Sequence, residues 1–231
     1  MNPTIYVIIP AYNEEASIGL VIQDIPKIVS EVIVVNNNST DKTLKSARNA
    51  GANVLTEDRK GYGYACLKGM DYVSKLKSIP DIIVFLDGDY SDFPEELTKI
   101  VAPIIENDID FVIGARTSKL REEGSMTKPQ IFGNWLATSL MSLFFGSSFT
   151  DLGPFRAIKY DKLLALNMED KTYGWTVEMQ LKAIKRKYSY VEIPVNYRNR
   201  IGVSKVSGTV KGAIFAGVKI LLWIFKYSFK K

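Results

Sequence analysis

The sequence contains no histidine and a single cysteine, Cys66. The absence of histidine excludes Ser-His-Asp and Cys-His nucleophilic sites, and it excludes every zinc site built on histidine ligands. One cysteine cannot form a disulfide framework or a thiolate metal cluster, and it is typical of a protein from a reducing compartment. Any bound metal ion must therefore rest on oxygen ligands, and any general base must be a carboxylate, a lysine or the substrate itself.

Acidic residues are nearly absent from the C-terminal stretch. Between residues 182 and 231 there are 12 lysines and arginines but only one acid, Glu192, so this stretch has a net charge of +11. The residues before it carry a net charge of −6. A basic tail on an acidic body predicts a negatively charged partner, such as membrane lipid, a phosphate ligand or nucleic acid. The N-terminus starts on a strand-like run without a basic leader, so we predict no signal peptide.

Short apolar runs and helical patterns alternate along the first half of the chain. With 231 residues, of which 46% are hydrophobic, the composition is that of an ordinary globular domain. Strands are predicted at residues 5–10, 32–35, 53–55, 82–86 and 111–114. Helices are predicted at residues 15–29, from the cap Ser39-Thr40-Asp41 to residue 50, at 63–76 and at 94–105. This order predicts an α/β fold with a mostly parallel sheet and helices on both faces.

One long segment of the second half carries no charge. Residues 131–149 predict a helix without a charged face. Its apolar side includes Leu136 and Leu143, and its polar side includes Asn134 and Thr138. We interpret this segment as a membrane-seeking helix.

The last stretch, residues 209–229, also predicts an apolar helix. Its lysines, Lys211, Lys219 and Lys226, fall within roughly 80° of one another on a helical wheel. Such a stripe is typical of a helix lying in the membrane interface, with lysines near the headgroups, and argues against a spanning helix. The side chains predicted to face the acyl chains are Ile214, Ile220, Leu221, Ile224 and Phe225. One alternative is a helix that packs on the sheet domain. Another is a helix that packs on a second subunit, in which case the protein would be a homo-oligomer.

Polar clusters follow three of the predicted strands, at residues 11–15, 36–41 and 87–89. Ligands bind at the carboxyl ends of the strands in sheets of this kind, so we predict the site there. Asp87-Gly88-Asp89 places two carboxylates on a tight turn, which suits Mg²⁺ or Mn²⁺ that also holds phosphate oxygens. A solvated turn is the alternative, since aspartate and glycine are common in turns.

Five motifs occur in one order at plausible spacing. They are residues 10–15 (PAYNEE), 36–41 (NNNSTD), 60–65 (KGYGYA), 87–89 (DGD) and 114–116 (GAR). Together they resemble an inverting glycosyltransferase of family 2 with the GT-A fold, and most of all the branch with dolichyl-phosphate mannosyl- and glucosyltransferases. The resemblance returns at residues 150–157 and 197–205. It implies a Rossmann-like, mostly parallel sheet, and transfer of a hexose from a UDP- or GDP-sugar to a polyprenyl or dolichyl phosphate, assisted by Mg²⁺ or Mn²⁺.

The resemblance also implies which residues hold the nucleotide-sugar donor. These are Pro10, Tyr12, Glu14, Asn37, Lys60, Asp87, Gly88 and Asp89, of which Asp87 and Asp89 are also the implied metal ligands. Two positions depart from the family pattern. Asn37 stands where the family usually has an aspartate facing the base, and an amide can both donate and accept. Ser91 stands where a glutamine is often found.

The catalytic residues implied by the resemblance are Asp89, Arg116, Asp151, Arg200 and Lys205. The implied acceptor-side residues are Arg116, Asp151, Arg156, Arg198 and Ser204. The basic loop that carries Arg198 to Lys205 matches one that closes over the diphosphate in the family. A nucleic-acid patch is the competing interpretation, but no aromatic stacking surface accompanies these residues, so we predict no nucleic-acid partner.

The type of acceptor decides whether a base is needed. A phosphate monoester is largely a dianion at neutral pH, with a second pKa of about 6, and attacks without a base. A saccharide or glycerolipid hydroxyl would need a carboxylate base, for which Asp151 and Glu178 are the candidates. A third alternative is a non-catalytic nucleotide-sugar-binding or membrane-recruitment protein, which the asparagine triplet and Ser91 would favour.

The sequence thus predicts one catalytic domain with an appendage. Residues 1–205 form the glycosyltransferase domain, with a nucleotide-sugar-binding half at 1–116 and an acceptor-binding half at 117–205. Residues 206–231 form an amphipathic membrane-associating helix. We expect a peripheral protein on the cytoplasmic face of a membrane, whose partners are a nucleotide-sugar, a lipid phosphate and the membrane surface.

Overall fold

A computed structural model describes residues 3–202 and 210–229. Within these residues seven strands form one sheet. The strands are β1 (Ile5–Ala11), β2 (Glu31–Asn36), β3 (Asn53–Thr56), β4 (Ile82–Phe85), β5 (Phe111–Ala115), β6 (Arg156–Lys159) and β7 (Tyr190–Pro194). The helices are α1 (Ile18–Asp24), α2 (Thr43–Asn49), α3 (Tyr62–Val73), α4 (Leu97–Asn107), α5 (Lys128–Phe145), α6 (Tyr160–Leu166), α7 (Trp175–Lys185) and α8 (Val210–Phe229). A short 3₁₀ turn, Pro94–Glu96, precedes α4.

The sheet has the strand order β3-β2-β1-β4-β6-β5-β7. All neighbouring pairs are parallel except those made by β6, which runs antiparallel to both β4 and β5. The prediction of an α/β fold with a mostly parallel sheet is therefore confirmed. The four-residue strand β6 inserts between β4 and β5, and it aligns Arg156 with Phe85 on one side and Ile113 on the other.

Apolar side chains fill both faces of the sheet. On one face α1, α2 and α4 pack on side chains such as Val7 and Val84. On the other face α3, α5, α7 and α8 pack on side chains such as Ile8 and Phe85. The alternation of Val7 and Ile8 between the two clusters is the period of two that a strand imposes. The predicted helices on both faces are thereby confirmed.

Helix α5 differs from its prediction in extent and in its faces. It begins after the N-cap Thr127, which forms a capping box with Gln130, and it ends at Gly146 in the left-handed region. Thr138 is buried, whereas Leu143 is 75% exposed. The predicted division into apolar and polar sides was therefore wrong. The segment has no charged residue that would mark the solvent side, so its hydrophobic periodicity did not distinguish the buried face from the exposed face.

Helix α8 lies against the body of the protein. Trp223, Ile224 and Tyr227 are buried. Lys219 forms an ion pair with Asp170 at 3.2 Å, and the indole nitrogen of Trp223 donates to the same carboxylate at 2.6 Å. The predictions that Lys219 reaches lipid headgroups and that Ile224 faces acyl chains were therefore wrong, since both side chains are directed to the protein.

The other lysine of the predicted stripe with a described side chain is Lys226. Lys226 lies 3.9 Å from the carboxylate of Glu169 and over the ring of Trp223. The side chain of Lys211 and the terminal lysines fall outside the description. Among residues 3–202 and 210–229, no helix has the length and apolar character needed to cross a membrane.

Candidate active site

The carboxyl ends of β1, β2 and β4 open into one large cavity, which we call the main cavity. Its volume is about 1000 Å³. Tyr12 and Glu14 reach it from the turn after β1, and Asp87 and Asp89 reach it from the turn after β4. The structure thus brings together all of the predicted donor residues, which are Pro10, Tyr12, Glu14, Asn37, Lys60, Asp87, Gly88 and Asp89.

The opposite wall of the main cavity consists of residues for which the sequence predicted no site role. Leu136 lines it from α5, Tyr173 and Trp175 from the start of α7, and Gly217 and Ile220 from α8. The only local signal was the pair of aromatic residues, Tyr173 and Trp175, on either side of Gly174 at the start of α7. Neither apolar helix showed a periodicity that would single out its cavity-facing residues.

Asn37 lies in the wall of the main cavity, directly after β2. Its amide nitrogen donates to the carbonyl oxygens of Arg59, at 2.7 Å, and Glu57, at 3.2 Å. Its amide oxygen accepts from the main-chain nitrogen of Gly61 at 2.8 Å. The amide that we expected to face the base therefore holds a neighbouring turn of the main chain.

Asp87 lines the main cavity and has one buried carboxylate oxygen. Burial, followed by the nearby charge of Asp89, raises the pKa of Asp87 to about 7. Among the described residues, its Oδ1 atom has no hydrogen-bond partner. A buried carboxylate oxygen without a donor is costly unless a ligand completes it, so Asp87 is suited to accept a cation.

Asp89 is held by groups from two segments. Its Oδ1 accepts from the main-chain nitrogen of Ser91 at 2.9 Å and also from the Ser91 hydroxyl. Its Oδ2 pairs with the guanidinium of Arg200 at 3.0 Å, and Arg200 also pairs with Glu14 at 2.7 Å. The positive charge of Arg200 thus lies between two carboxylates.

The loop that carries Arg200 is fixed to the turn that carries Asp89. The main-chain nitrogen of Ile201 donates to the carbonyl of Asp89 at 3.0 Å, and that of Arg198 donates to the carbonyl of Ser91 at 2.9 Å. The Arg198 guanidinium stacks over the ring of Tyr90 and donates to the Tyr90 carbonyl at 2.7 Å. Arg198 is therefore engaged in joining the two segments. Its expected position on the acceptor side does not match this geometry.

Arg116 follows β5 and pairs with Asp151. Its Nε and Nη2 atoms donate to the two carboxylate oxygens at 2.8 and 2.7 Å, and its main-chain nitrogen donates to Oδ2 at 2.8 Å. Burial alone would raise the pKa of Asp151, but the charge and hydrogen bonds of Arg116 outweigh burial and hold it below its ordinary value. Arg116 lines the main cavity, as predicted, and Asp151 lies behind it beside a smaller cavity of about 500 Å³.

Arg156 and Glu178 are buried parts of the interior. The Arg156 guanidinium donates to the main-chain carbonyls of Gly153, Leu152 and Thr176, and burial lowers its pKa to about 10. The Glu178 oxygens accept from the main-chain nitrogens of residues 169 and 170 at 2.8 and 2.7 Å. Contact of either side chain with an acceptor, which the sequence suggested, does not fit these positions.

Comparison with known proteins agrees with this geometry. Residues 6–165 match the profile described as Glycosyl transferase family 2. The chain belongs to this family. It is 31% identical over 214 residues to a dolichyl-phosphate hexose transferase of Haloferax volcanii, a match that covers 90% of this chain and 88% of the relative. It is 29% identical to an undecaprenyl-phosphate mannosyltransferase of Micrococcus luteus, with 94% and 92% of the two chains covered.

Solved structures share the fold. Glucosyl-3-phosphoglycerate synthase from Mycobacterium tuberculosis, crystallised with Mn²⁺, uridine diphosphate and phosphoglyceric acid, superposes with a TM-score of 0.78. The superposition covers 99% of this chain and 80% of that protein, at 22% sequence identity. At this identity the likeness establishes the fold alone. With the family match, it confirms that this chain is an α/β glycosyltransferase of the GT-A type.

The acids of this family member fit a metal ion that takes most of its ligands from the substrate. Within the described residues, no group of three or more acidic, cysteine or histidine side chains is placed to hold a metal. Asp87 and Asp89 form a pair, and Asp87 has an unpartnered buried oxygen. Mg²⁺ and Mn²⁺ are commonly bound by one or two carboxylates together with phosphate oxygens and water, so the pair fits such an ion. The predicted residues Ser204 and Lys205 lie outside the described part of the chain.

Proposed function

We propose that the protein transfers a hexose from a nucleoside-diphosphate sugar to a polyprenyl phosphate, with inversion at the anomeric carbon. Two relatives that match most of the chain are named for transfer to dolichyl or undecaprenyl phosphate. The structural relative crystallised with uridine diphosphate acts on a soluble phosphate compound, as its name says. The choice between these acceptor classes therefore rests on the charges of the main cavity.

The distribution of carboxylates in the main cavity carries the proposal. Within the described part of the chain, the acids that line it are Glu14, Asp87 and Asp89, all on the donor side. Asp151 and Glu178, the candidate bases for a hydroxyl acceptor, are held by Arg116 and by main-chain nitrogens. An acceptor that brings its own negative charge needs no base from the protein. A phosphate monoester satisfies that condition.

The residues of the donor side have distinct roles in this proposal. Asp87 and Asp89 hold the metal ion, which when bound neutralises charge on the departing diphosphate. Arg200 leaves its two carboxylates and binds the diphosphate, and we propose the same ligand for Lys205. Charge neutralisation that grows as the leaving group departs stabilises the transition state more than the bound substrate.

Arg116 is the group proposed to align the acceptor phosphate. Its guanidinium lines the main cavity, while its Nε and Nη2 atoms stay hydrogen-bonded to Asp151. A cation held in one orientation can fix an incoming dianion for in-line attack without itself moving. Ser204 stays a proposed acceptor contact. We retain the division into a donor half (1–116) and an acceptor half (117–205), with two exceptions: Arg200 belongs to the donor side and Arg116 to the acceptor side.

We further propose that helices α5 and α8 rest on a membrane surface. The two helices pack together, with Phe144 of α5 against Phe225 of α8, and both line the main cavity. Their outer sides expose large apolar side chains, which are Phe132, Trp135, Leu143 and Phe144 of α5 and Phe215, Val218, Leu222 and Phe225 of α8. A group of exposed large apolar side chains such as this one marks an interaction site. A lipid acceptor would reach the main cavity most directly from a membrane that the same two helices touch. Since nucleotide-sugars and reduced thiols belong to the cytoplasm, we place the protein peripherally on that face.

The membrane proposal can be tested with a matched pair of substitutions. Leu222 on α8 is 60% exposed, and Ile79, which lies in the loop before β4 and outside both helices, is 65% exposed. Leu222→Glu should weaken binding to phosphatidylglycerol vesicles about tenfold or more, because burying a leucine side chain is worth roughly 1.5–3 kcal/mol. Ile79→Glu should bind as the wild type does. Equal binding by all three proteins would contradict the membrane face.

The transfer reaction is tested with radiolabelled UDP- and GDP-hexoses and purified undecaprenyl phosphate. The proposal expects label in the organic phase for at least one donor, with release of the nucleoside diphosphate. Asp89→Asn should abolish the transfer while circular dichroism stays unchanged. Transfer to 3-phosphoglycerate but not to the lipid would contradict the acceptor class. Binding of the nucleotide-sugar without any transfer would favour a non-catalytic protein.

A further inference from the structure

We propose that Asn37 sets the donor's nucleoside pocket by fixing a turn of main chain, and that it does not itself read the base. The inference rests on the proposed function, since it presumes a nucleoside-diphosphate donor. It concerns residues 57–61, the turn after β3, which we call the nucleoside turn. Lys60 and Gly61 of this turn line the main cavity, and the ammonium of Lys60 lies 5.3 Å from the ring centre of Tyr12.

All three hydrogen bonds of the Asn37 amide described above go to the nucleoside turn. The amide nitrogen has two hydrogens, and these are used by the carbonyls of Glu57 and Arg59. The oxygen accepts from the nitrogen of Gly61. The side chain is also buried, with 6% of its surface exposed. Both of its donors are therefore used within the protein, and its oxygen already accepts one hydrogen bond.

An aspartate at this position could not hold the turn in the same way. It would place negative oxygens against the two carbonyls of Glu57 and Arg59, which only accept hydrogen bonds. The amide is thus required by the surrounding main chain, and this explains the departure from the aspartate of the family pattern. The departure from the family pattern thus belongs to the architecture of the turn.

The rest of the turn is built to stay fixed. The Glu57 carboxylate accepts from the main-chain nitrogen of Arg59 at 2.9 Å and from two guanidinium nitrogens of Arg59 at 2.8 Å. These bonds from Arg59 lower the pKa of Glu57 to about 2. Gly61, with φ of +150°, packs so closely on the carbonyl of Lys171 that a Cβ would lie 2.2 Å from its oxygen. A turn fixed at both ends presents a preformed wall, so binding does not have to order it.

Binding of UDP, GDP and inorganic pyrophosphate, each with Mg²⁺, tests the inference by calorimetry on the full chain. Asn37→Asp should weaken UDP and GDP by the same factor, about tenfold, and leave pyrophosphate within twofold. The matched control is Asn49→Asp, which makes the same chemical change on the exposed surface of α2. The control should change none of the three affinities.

Several results would overturn the inference. A change in the UDP to GDP ratio of more than threefold would mean that residue 37 reads the base. Weakening of pyrophosphate along with the nucleotides would indicate general damage, and unchanged nucleotide affinity would mean that the amide is not needed. If Asn37→Asp does not fold, Asn37→Ser replaces it, with the same expectation. If the wild type binds neither nucleotide, the proposed function is refuted and this inference with it. A changed ratio of UDP to GDP affinity in the variant would refute the inference alone.

Discussion

The two sides of the main cavity hold their arginines in opposite ways. On the acceptor side Arg116 forms a two-pronged pair with Asp151, and the two side chains are only 10% and 5% exposed. On the donor side Arg200 is 26% exposed and divides its guanidinium between Glu14 and Asp89. A buried pair with matched geometry is a permanent element of the fold, because separating its charges in the interior is costly. A partly exposed cation shared by two acids can exchange them for a more highly charged ligand.

The largest expected effect comes from breaking the permanent pair. Arg116→Met should lower the free energy of unfolding by about 3–5 kcal/mol, because it leaves the Asp151 carboxylate buried without a partner. The double variant Arg116→Met/Asp151→Leu should recover most of that loss. Urea denaturation followed by tryptophan fluorescence measures both. Wild-type stability in the single variant would mean that the pair is not a fixed part of the fold.

Breaking the exchangeable pair should affect catalysis and leave the fold in place. Arg200→Gln should lower kcat by roughly 10²–10³-fold, the usual loss when one preorganised group that stabilises transition-state charge is removed. Its unfolding free energy should fall by less than that of Arg116→Met, since Glu14 and Asp89 line the main cavity, where water can reach them. Arg48→Gln, on the exposed surface of α2, serves as the control for loss of one arginine. A raised KM at unchanged kcat would reduce Arg200 to a docking group.

A smaller effect would show the exchange itself. In protein without nucleotide, Arg200→Gln should bind Mn²⁺ about tenfold more tightly than the wild type, because no guanidinium then competes for Asp89. Electron paramagnetic resonance of unbound Mn²⁺ gives both dissociation constants. With a nucleoside diphosphate present the advantage should disappear. Equal or weaker Mn²⁺ binding by the variant would contradict the view that Arg200 occupies the cation's place.

The smallest effect is the acid dependence of the permanent pair. The folded pKa of Asp151 lies below its unfolded value of about 3.9. The pair's contribution to stability is therefore fully present above the unfolded pKa and is lost as the pH falls through the folded one. Between pH 5 and pH 3 the wild type should lose more stability than Arg116→Met/Asp151→Leu. Parallel losses would mean that Asp151 titrates alike in both states.

The N-terminal half could be predicted well because its signals are local. Each buried strand of that half is an apolar run, and the site residues stand directly after the strands, as Asp87 and Asp89 follow β4. Parallel strands bring such positions to one edge of the sheet, so the donor residues assembled as expected. The exact start of α2 differed from the prediction. The helix begins at Thr43, and Asp41, which precedes it, accepts a hydrogen bond from the main-chain nitrogen of Thr43.

The second half could be predicted less well because its contacts are distant in sequence. The four residues of β6 gave no sign that the strand would run antiparallel between β4 and β5 and bury Arg156. Lys219 looked like part of a solvent-facing stripe until Asp170, almost fifty positions earlier, proved to be its partner. Motif resemblance placed Arg198 and Asp151 near the site. It could not reveal which groups their side chains are already hydrogen-bonded to.

The central claim is that the nucleophile is a phosphate oxygen and that the protein supplies no base. The most direct measurement compares undecaprenyl phosphate with undecaprenol as acceptors, using the same labelled donor and the same detergent. The two lipids have the same chain and differ only in the phosphate. The account predicts labelled product from the phosphate and none from the alcohol, because the carboxylates of the main cavity lie on the donor side. Glycosylation of the alcohol at a comparable rate would require a protein base and would contradict the account.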